Sequence, residues 1–301
     1  MQPIAKKTWK QVDGVLLLDK PVGISSNDAL QKARRLLSAA RGGHTGTLDP
    51  LASGLLPLCF GEATKFSADL LAADKTYEAE LALGVTTDSG DAEGRVTATA
   101  AVDVAECDIL RVLPQFTGDI RQVPPMHSAL KRNGRPLYEL ARQGIEVERE
   151  ARSVTIHAIE LLGFSGARLA LRVSCSKGTY IRTLAADIGA ALGCGAHLAA
   201  LRRTVVGSLG LADALTLADL EARDEAGRLV CLLPIDRLLA SLPAVTLADE
   251  AVQRFRHGNP VDLPGGPGGK LRVYAASGLL GIGESGDDGR LWPKRLVQLA
   301  G

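Results

Sequence analysis

The pattern of apolar and polar residues predicts several strands. In KTYEAELALG (residues 75–84), odd positions from Tyr77 to Leu83 are apolar while glutamates occupy positions between them. A period of two is typical of a strand with one buried face. Residues 168–176 (RLALRVSCS) alternate in the same way, and the continuous apolar run GVLLL at 14–18 indicates a buried strand. We therefore expect a half-buried strand to begin at Tyr77.

Two other segments have the spacing of amphipathic helices. In SSNDALQKARRLLSAARGG, from residue 25 onward, apolar residues recur at helical spacing between polar capping residues and Gly42-Gly43. We predict a helix that closes at these glycines. A second helix is predicted in TYIRTLAADIGAALG, after a turn at Lys177-Gly178, with Tyr180 and Arg182 in its first turn.

The amino-acid composition of the chain changes at two places. Residues 121–152 are rich in turn formers and in Lys and Arg, which predicts an extended basic excursion. From about residue 243, short β-like pieces alternate with PGGPGG and GDDGR. We predict a large α/β or α+β domain over residues 11–242 and a small β-rich domain over residues 245–301.

Composition excludes some functional classes and leaves others open. The 301 residues include 35 Lys and Arg against 34 Asp and Glu, so any surface that binds nucleic acid must be local. No apolar run approaches the roughly 18 residues that a membrane-spanning helix needs. We expect a cytoplasmic protein with no membrane partner.

The cysteines do not suggest a metal site or a disulfide framework. There are five of them, without a C-x-x-C pair and without a histidine at ligand spacing. Reduced, mostly buried thiols are the expectation, and we predict no bound metal. Phosphate-binding glycine motifs and H-E-x-x-H are also missing from the sequence.

The segment GGHTGTLDPLASG, residues 42–54, is the strongest candidate for an active-site loop. An Asp-Pro pair after glycines is most often an Asx turn, so Asp49 taken alone favours a structural role. The apolar residues that follow place this carboxylate against the protein body, where an unpaired charge is costly. Arg182 is a candidate partner, although an exposed arginine is an equal alternative. His44 and Tyr77 could likewise be an ordinary loop residue and a packing aromatic.

Six segments together resemble one family, the bacterial tRNA pseudouridine synthases of the TruB type. They are GVLLLDKPVGISSNDAL, GGHTGTLDPLASGLLPLCFGEATKF, KTYEAELALG, PPMHSALKRNGRPLYELARQG, SKGTYIRTLAADIG and GAHLAALRRT. The resemblance covers most of residues 14–205. It implies an α+β pseudouridine synthase fold with a large mixed, mainly antiparallel sheet flanked by helices and loops. It also implies a thumb-like insertion at about 121–152 and a small C-terminal β-barrel of the PUA type over residues 245–301.

The resemblance also implies residue roles. Asp49 is expected to be the catalytic aspartate, Tyr77 to stack on the target base, and Arg182 to pair with Asp49. The remaining implied site residues are the nucleotide-binding His44, Tyr180, Leu201, Lys20 and Pro21, and the RNA-binding thumb residues His127, Lys131, Arg132 and Arg135.

The implied reaction converts uridine to pseudouridine in the T-loop of tRNA, at position 55, by base flipping. It needs no cofactor, and we expect a monomer whose partner is tRNA. We also expect Arg182 to lower the pKa of Asp49 by about 1 to 3 units. One alternative is a tRNA-folding protein without catalysis. Another is a nucleoside or glycoside hydrolase, which the sequence disfavours because no second carboxylate is evident beside Asp49.

Overall fold

A mixed β-sheet organises most of the chain. The computed structural model describes residues 8–128, 130–132 and 134–298, without the side chains of Lys131 and Pro136. In chain order, the strands of this larger part are β1 (Gly14–Lys20), β2 (Gly42–His44), β3 (Ala52–Phe60), β4 (Lys75–Leu83), β5 (Val85–Thr87), β6 (Val96–Thr99), β7 (Gly118–Gln122), β8 (Lys131–Arg132), β9 (Arg135–Pro136), β10 (Arg152–Ser165), β11 (Arg168–Cys175), β12 (Ala196–Val206), β13 (Leu209–Gly210) and β14 (Leu215–Thr216).

Short helices connect the strands. The α-helices are α1 (Ser26–Leu36), α2 (Ser67–Leu71), α3 (Glu106–Val112), α4 (Leu137–Arg142), α5 (Ile181–Ala191), α6 (Leu217–Ala222), α7 (Glu225–Val230) and α8 (Asp249–Arg256). Four 3₁₀ helices cover Gly61–Phe66, Leu113–Phe116, Leu211–Asp213 and Ile235–Leu239. None of the described helices is long and apolar enough to cross a membrane.

The large sheet runs in the order β14-β1-β3-β12-β4-β11-β10-β7, with β2 added beside β3 and β13 beside β12. Within it, β1 pairs with β14 and β12 pairs with β3 in parallel, while the other pairs are antiparallel. The predicted α+β fold with a large mixed, mainly antiparallel sheet is confirmed. Strand β12 comes late in the chain yet lies between β3 and β4.

Close contact between β3 and β12 depends on one glycine. Gly54 has a φ of +99°, and a Cβ at this position would lie 2.3 Å from the carbonyl oxygen of Arg203. A larger residue would therefore be strained both by its backbone conformation and by a clash with β12. The glycine that ends LASG allows the central strand to approach this closely.

Helices α1 and α5 pack in two different parts of the core. The buried face of α1 consists of Ser26, Ala29, Leu30 and Ala33. That of α5 includes Ile181, Leu184 and Ile188, which pack against β4, β11 and β12. Burial of these apolar faces fixes the N-terminal ends of both helices, and each end delivers a polar side chain to the same cleft.

Helix α1 is shorter than the sequence predicted. It starts after the expected cap, where the Ser25 hydroxyl accepts a hydrogen bond from the Asp28 amide at 3.1 Å. It ends at Leu36, because Ser38 adopts a φ of 52° and turns the chain. The prediction that Gly42 and Gly43 close the helix was wrong. Both glycines belong to β2 and pair with β3.

The other local predictions agree well with the structure. The alternating segment at Tyr77 is β4, whose buried positions include Ala79, Leu81 and Leu83. The strand–turn–helix at 168–193 is β11 followed by α5. Tyr180 is the residue that precedes α5, rather than part of its first turn.

The C-terminal part forms its own five-stranded sheet. Its strands are β15 (Ala244–Thr246), β16 (Val261–Asp262), β17 (Gly269–Ala275), β18 (Gly278–Ser285) and β19 (Arg290–Leu296), in the order β15-β17-β18-β19-β16. Helix α8 packs on this sheet through Val252 and Phe255, and the sequence pattern had not predicted it. The predicted small β domain is confirmed as a curled half-barrel.

This C-terminal unit is docked on the segment between β3 and β4. Glu62 accepts a hydrogen bond from the Gln298 amide at 2.7 Å, and Lys65 donates to the Leu296 carbonyl at 3.3 Å. Asp69 lies 3.5 Å from both Lys270 and Arg295. Residues from β18 also join the hydrophobic core beneath this segment. The interface therefore combines apolar burial with charge pairing.

Ser26 ties α1 to the loop that carries Asp49, and its removal should destabilise the fold. Its buried hydroxyl accepts a hydrogen bond from the Leu48 amide at 2.8 Å and donates one to the Leu48 carbonyl at 3.0 Å. Ser26→Ala leaves both backbone groups without this partner, so we expect a loss of about 1–3 kcal/mol in urea unfolding.

A matched control is Ser208→Ala, which changes an exposed serine in the turn between β12 and β13. Its effect should stay within about 0.5 kcal/mol. Equal stabilities of the two variants would contradict the role assigned to Ser26.

Candidate active site

Several segments meet around a cleft of about 1030 Å³. They include the start of α1, the loop between β2 and β3, the start of β4, the turn between β5 and β6, the thumb segment, the turn before α5 and strand β12. Seven of the residues that the sequence singled out line this cleft, namely His44, Asp49, Tyr77, His127, Tyr180, Arg182 and Leu201. Residues far apart in the chain are thereby brought into one site.

The loop that carries Asp49 is fixed by its backbone. The Thr45 amide donates to the Pro57 carbonyl at 3.1 Å, and the Ala52 amide donates to the Asp49 carbonyl at 3.0 Å. Gly46 has a φ of +93°, which allows the sharp turn after β2. With Ser26 holding Leu48 as well, the loop presents the Asp49 side chain to the cleft in one orientation.

Arg182 forms the ion pair that the sequence suggested. Its Nη2 lies 3.1 Å from Asp49 Oδ2, and the arginine side chain is only 6% exposed. It is therefore not an exposed arginine on a solvated surface. The same guanidinium donates to the carbonyl oxygens of Ser89 at 3.3 Å and His127 at 2.6 Å. These contacts fix the cation that faces Asp49.

A second carboxylate, which the sequence reasoning missed, shares this arginine. Asp91 Oδ2 lies 3.3 Å from Arg182 Nη1, and the side chain is 5% exposed. The expectation that no second carboxylate lies near Asp49 was wrong. Asp91 also accepts hydrogen bonds from the Ser89 hydroxyl and the Glu93 amide. Because its oxygens already have partners, Asp91 is suited to holding Arg182 in place and less suited to donating a proton to a substrate.

Arg182 acts on the pKa of Asp49 in the expected direction, but burial outweighs it. Burial raises the pKa of this carboxyl above its ordinary value, while Arg182 acts in the opposite direction and the nearby Asp91 raises it further. The Asp49 side chain still has 41% of its surface exposed. A carboxylate that is open to the cleft but poorly solvated is well placed to react with a bound group.

Tyr77 lies on β4 beside a buried arginine. Burial raises the pKa of the Tyr77 phenol, and the charge of Arg203 opposes this shift. Tyr77 and Arg203 are direct neighbours across β4 and β12. Sequence reasoning did not select Arg203, although it lines the cleft.

Three further residues define the walls of the cleft. The backbone of Tyr180 is held by the buried Gln122, whose side chain accepts from the Tyr180 amide at 3.0 Å and donates to its carbonyl at 3.3 Å. Leu201 lies on β12 opposite Ala52 of β3. Burial lowers the pKa of His44, and Arg203 lowers it further, so His44 favours the neutral imidazole.

The thumb segment lines the cleft with His127, Ser128, Tyr138, Ala141 and Arg142. Arg132 and Arg135 are not part of this lining: Arg132 donates to the Glu148 carbonyl, and Arg135 donates to the Gln143 side chain at 3.3 Å. Arg132 and Arg135 lie opposite each other in the β8–β9 hairpin. The Lys131 side chain lies outside the described residues.

Lys20 and Pro21 lie outside the cleft lining. Lys20 is fully buried, and its Nζ donates to the carbonyl oxygens of Pro21 and Ile24, each at 2.8 Å. Burial lowers its pKa to about 8, although Asp49 opposes this shift. In this conformation Lys20 closes the turn between β1 and α1, and Pro21 is exposed on that turn.

The described side chains include no group of three His, Cys, Asp or Glu residues arranged to hold a metal ion. What they do provide is a fixed carboxylate, a fixed guanidinium and a phenol around one cavity. Aromatic and apolar side chains also line this cavity. This combination suits nucleophilic or electrostatic chemistry at an electron-poor carbon.

Comparison with known proteins gives consistent matches along the chain. Residues 34–181 match the family model of the TruB family pseudouridylate synthase N-terminal domain. Residues 182–240 match that of the tRNA pseudouridylate synthase B C-terminal domain, and residues 243–297 match that of pseudouridine synthase II TruB, C-terminal.

Individual relatives extend these matches. A tRNA pseudouridine synthase B from Dechloromonas aromatica (strain RCB) is 74% identical over 98% of this chain and 99% of its own length. Another, from Azoarcus sp. (strain BH72), is 58% identical over 95% of each chain. A solved H/ACA RNP bound to a substrate RNA containing 2'-deoxyuridine has a TM-score of 0.73 and 26% identity, covering 95% of this chain and 85% of that one. The protein thus belongs to the TruB family of pseudouridylate synthases.

Proposed function

We propose that the protein isomerises uridine to pseudouridine in the T-loop of tRNA, at position 55, with Asp49 as the catalytic carboxylate. The observation that carries this proposal is the Asp49–Arg182 ion pair at 3.1 Å on the floor of the cleft. The relatives that match this chain over nearly its full length are named tRNA pseudouridine synthase B, which supports tRNA as the substrate.

The position of Asp49 supports the proposal that the target base is flipped. The carboxylate lies within a cleft, and a uridine that leaves its stack can enter this cleft and bring its sugar carbon to Asp49. Extruding a base costs a few kcal/mol of stacking, and contact with aromatic side chains returns part of that cost. Tyr77 and Tyr180 line the cleft and supply such faces, and Leu201 adds an apolar surface.

The reaction balances without an external reagent. The N1–C1′ bond breaks, the uracil rotates, and a C5–C1′ bond forms; C5 loses a proton and N1 gains one. Asp49 acts on the sugar or the base as nucleophile or electrostatic partner while Arg182 holds it in place. Tyr77 is the nearby group that can carry a proton during this exchange.

Two parts of the chain are proposed to hold the rest of the RNA. The β8–β9 hairpin carries the exposed Arg132 and Arg135, and His127 of the same thumb segment lines the cleft. The C-terminal half-barrel is proposed to act as a PUA-like RNA-binding unit. We further propose a monomer that needs no cofactor.

The alternatives make different products. A tRNA-folding protein would bind the RNA and leave its uridine unchanged. A hydrolase would release free uracil, and the presence of Asp91 makes this comparison necessary. Chromatography of a reacted T-stem-loop distinguishes all three outcomes, because only the isomerase leaves a C-linked base in the RNA.

Asp49→Asn tests the catalytic carboxylate. The change keeps the side-chain size and turn-forming ability but removes the charge. We expect no detectable pseudouridine. The affinity for the T-stem-loop RNA should stay within about tenfold of that of the unchanged protein, a difference of about 1.4 kcal/mol. Asp224→Asn makes the same chemical change at the exposed N-cap of α7 and should leave turnover intact. Pseudouridine formation by purified Asp49→Asn would refute the assignment.

The raised pKa of Asp49 predicts how turnover depends on pH. A carboxyl whose pKa is raised takes up a proton at a higher pH than usual, and the neutral form cannot serve as the catalytic anion. The single-turnover rate should therefore fall on acidification with a midpoint above the ordinary aspartate value of about 3.9. The affinity for the T-stem-loop RNA, measured at the same pH values, separates this effect from loss of binding. A midpoint at or below the ordinary value would contradict the prediction.

Salt dependence tests the β8–β9 hairpin. If Arg132 and Arg135 contact phosphates, replacing both with alanine weakens binding and flattens the plot of log affinity against log salt by roughly 0.7–0.9 per lost contact. The matched control replaces both Arg168 and Arg172 with alanine. Both arginines lie on β11 and pair with glutamates of the neighbouring strand β4. An unchanged slope for the variant that lacks Arg132 and Arg135 would show that the β8–β9 hairpin does not contact phosphates.

A further inference from the structure

Arg203 is a buried arginine at the base of the cleft. It lies on β12 and is only 1% exposed. Its Nε donates to the Leu55 carbonyl at 2.8 Å, and its Nη2 donates to the Gly46 carbonyl at 3.2 Å. Gly46 belongs to the loop that carries Asp49. The guanidinium therefore connects the central strand with that loop.

Arg203 also lies beside Tyr77. The two residues are opposite each other in the β4–β12 pair, and both line the cleft. The charge of Arg203 lowers the pKa of the Tyr77 phenol, against the larger effect of burial. One side chain thus contacts two of the segments that supply the proposed chemistry.

Arg203 differs from Arg182 in its electrostatic surroundings. Arg182 pairs with Asp49 and Asp91, whereas no carboxylate of the described residues forms an ion pair with Arg203. Burial lowers the pKa values of Lys75 and His44, and the charge of Arg203 lowers both further. The buried guanidinium of Arg203 is thus hydrogen-bonded to the carbonyl oxygens of Leu55 and Gly46.

We propose that Arg203 is a positioning residue for the isomerisation, which holds the Tyr77 hydroxyl and the Asp49 loop in a fixed relation. The inference rests on the roles proposed for Tyr77 and Asp49. A hydrogen bond to Leu55 alone would tie Arg203 only to β3. The hydrogen bond to Gly46 and the position beside Tyr77 make Arg203 a link between the phenol and the carboxylate loop.

Arg203→Lys keeps the charge but cannot contact all three partners at once. We expect its single-turnover rate to fall by about tenfold to a hundredfold, because a reacting group would be misplaced. The affinity for the T-stem-loop RNA should be nearly unchanged. Arg202→Lys is the matched control. Arg202 is adjacent on β12 but pairs with Asp19 at 2.7 Å, and its substitution should leave the rate within about threefold.

A double-mutant cycle tests whether Arg203 acts through the phenol. In a Tyr77→Phe background the hydroxyl is already absent, so Arg203→Lys should lower the residual rate by less than it does when Tyr77 is present. Equal losses in both backgrounds, or a wild-type rate for Arg203→Lys, would overturn the proposal.

A spectroscopic measurement reads the same contact without activity. The chain has four tyrosines, so labelling their ζ-carbons with carbon-13 gives a small set of resonances that Tyr77→Phe assigns. Arg203→Lys should shift the Tyr77 resonance and leave that of Tyr274, which donates to Asp236 in the C-terminal region, unchanged. An unmoved Tyr77 resonance contradicts the proposal.

Two further outcomes are distinguishable. If the unchanged protein makes no pseudouridine, the proposed function fails, while the resonance still reports whether Arg203 holds Tyr77. If Arg203→Lys does not fold, Tyr77→Phe provides the reverse measurement. The guanidinium resonance of Arg203 should move when the hydroxyl is removed, and a fixed resonance counts against the proposal.

Discussion

The active site depends on keeping one positive charge inside the protein. Removing a guanidinium from water is costly unless charges and hydrogen bonds replace the water, and Arg182 meets this requirement with two carboxylates and two backbone carbonyls. These partners come from the Asp49 loop, the segment after β5 and the thumb. The contacts that stabilise this charge therefore bring together segments that are far apart in the sequence.

The central sheet determines which side chains can join this arrangement. Strand β12 has irregular register at Leu198/Ala200 and again at Arg203/Val205. Each irregularity exchanges the two faces of a strand. Between these points, Leu201 and Arg203 face the cleft and Arg202 points away from it toward Asp19. A shift of one residue thus decides which of two adjacent arginines belongs to the site.

This explains how far the sequence could lead. Asp49, Tyr77 and Arg182 lie in segments with strong local patterns, and the sheet and helices around them were predicted correctly. Arg203 escaped prediction because regular alternation from Leu198 would place Arg202 inward, and alternation gives no sign of a bulge. Asp91 was missed because its role depends on a contact with Arg182, which is distant in the chain. The early end of α1 likewise depends on the left-handed conformation of Ser38.

The position of β12 has a consequence for how the protein folds as it is synthesised. Its neighbours β3 and β4 are complete long before residues 196–206 leave the ribosome, so each waits with an unpaired strand edge. Such edges are open to incorrect pairing and association, and contacts between distant residues form slowly. The nascent chain is therefore most exposed to misfolding just before its central strand is made, and only the insertion of that strand closes the sheet.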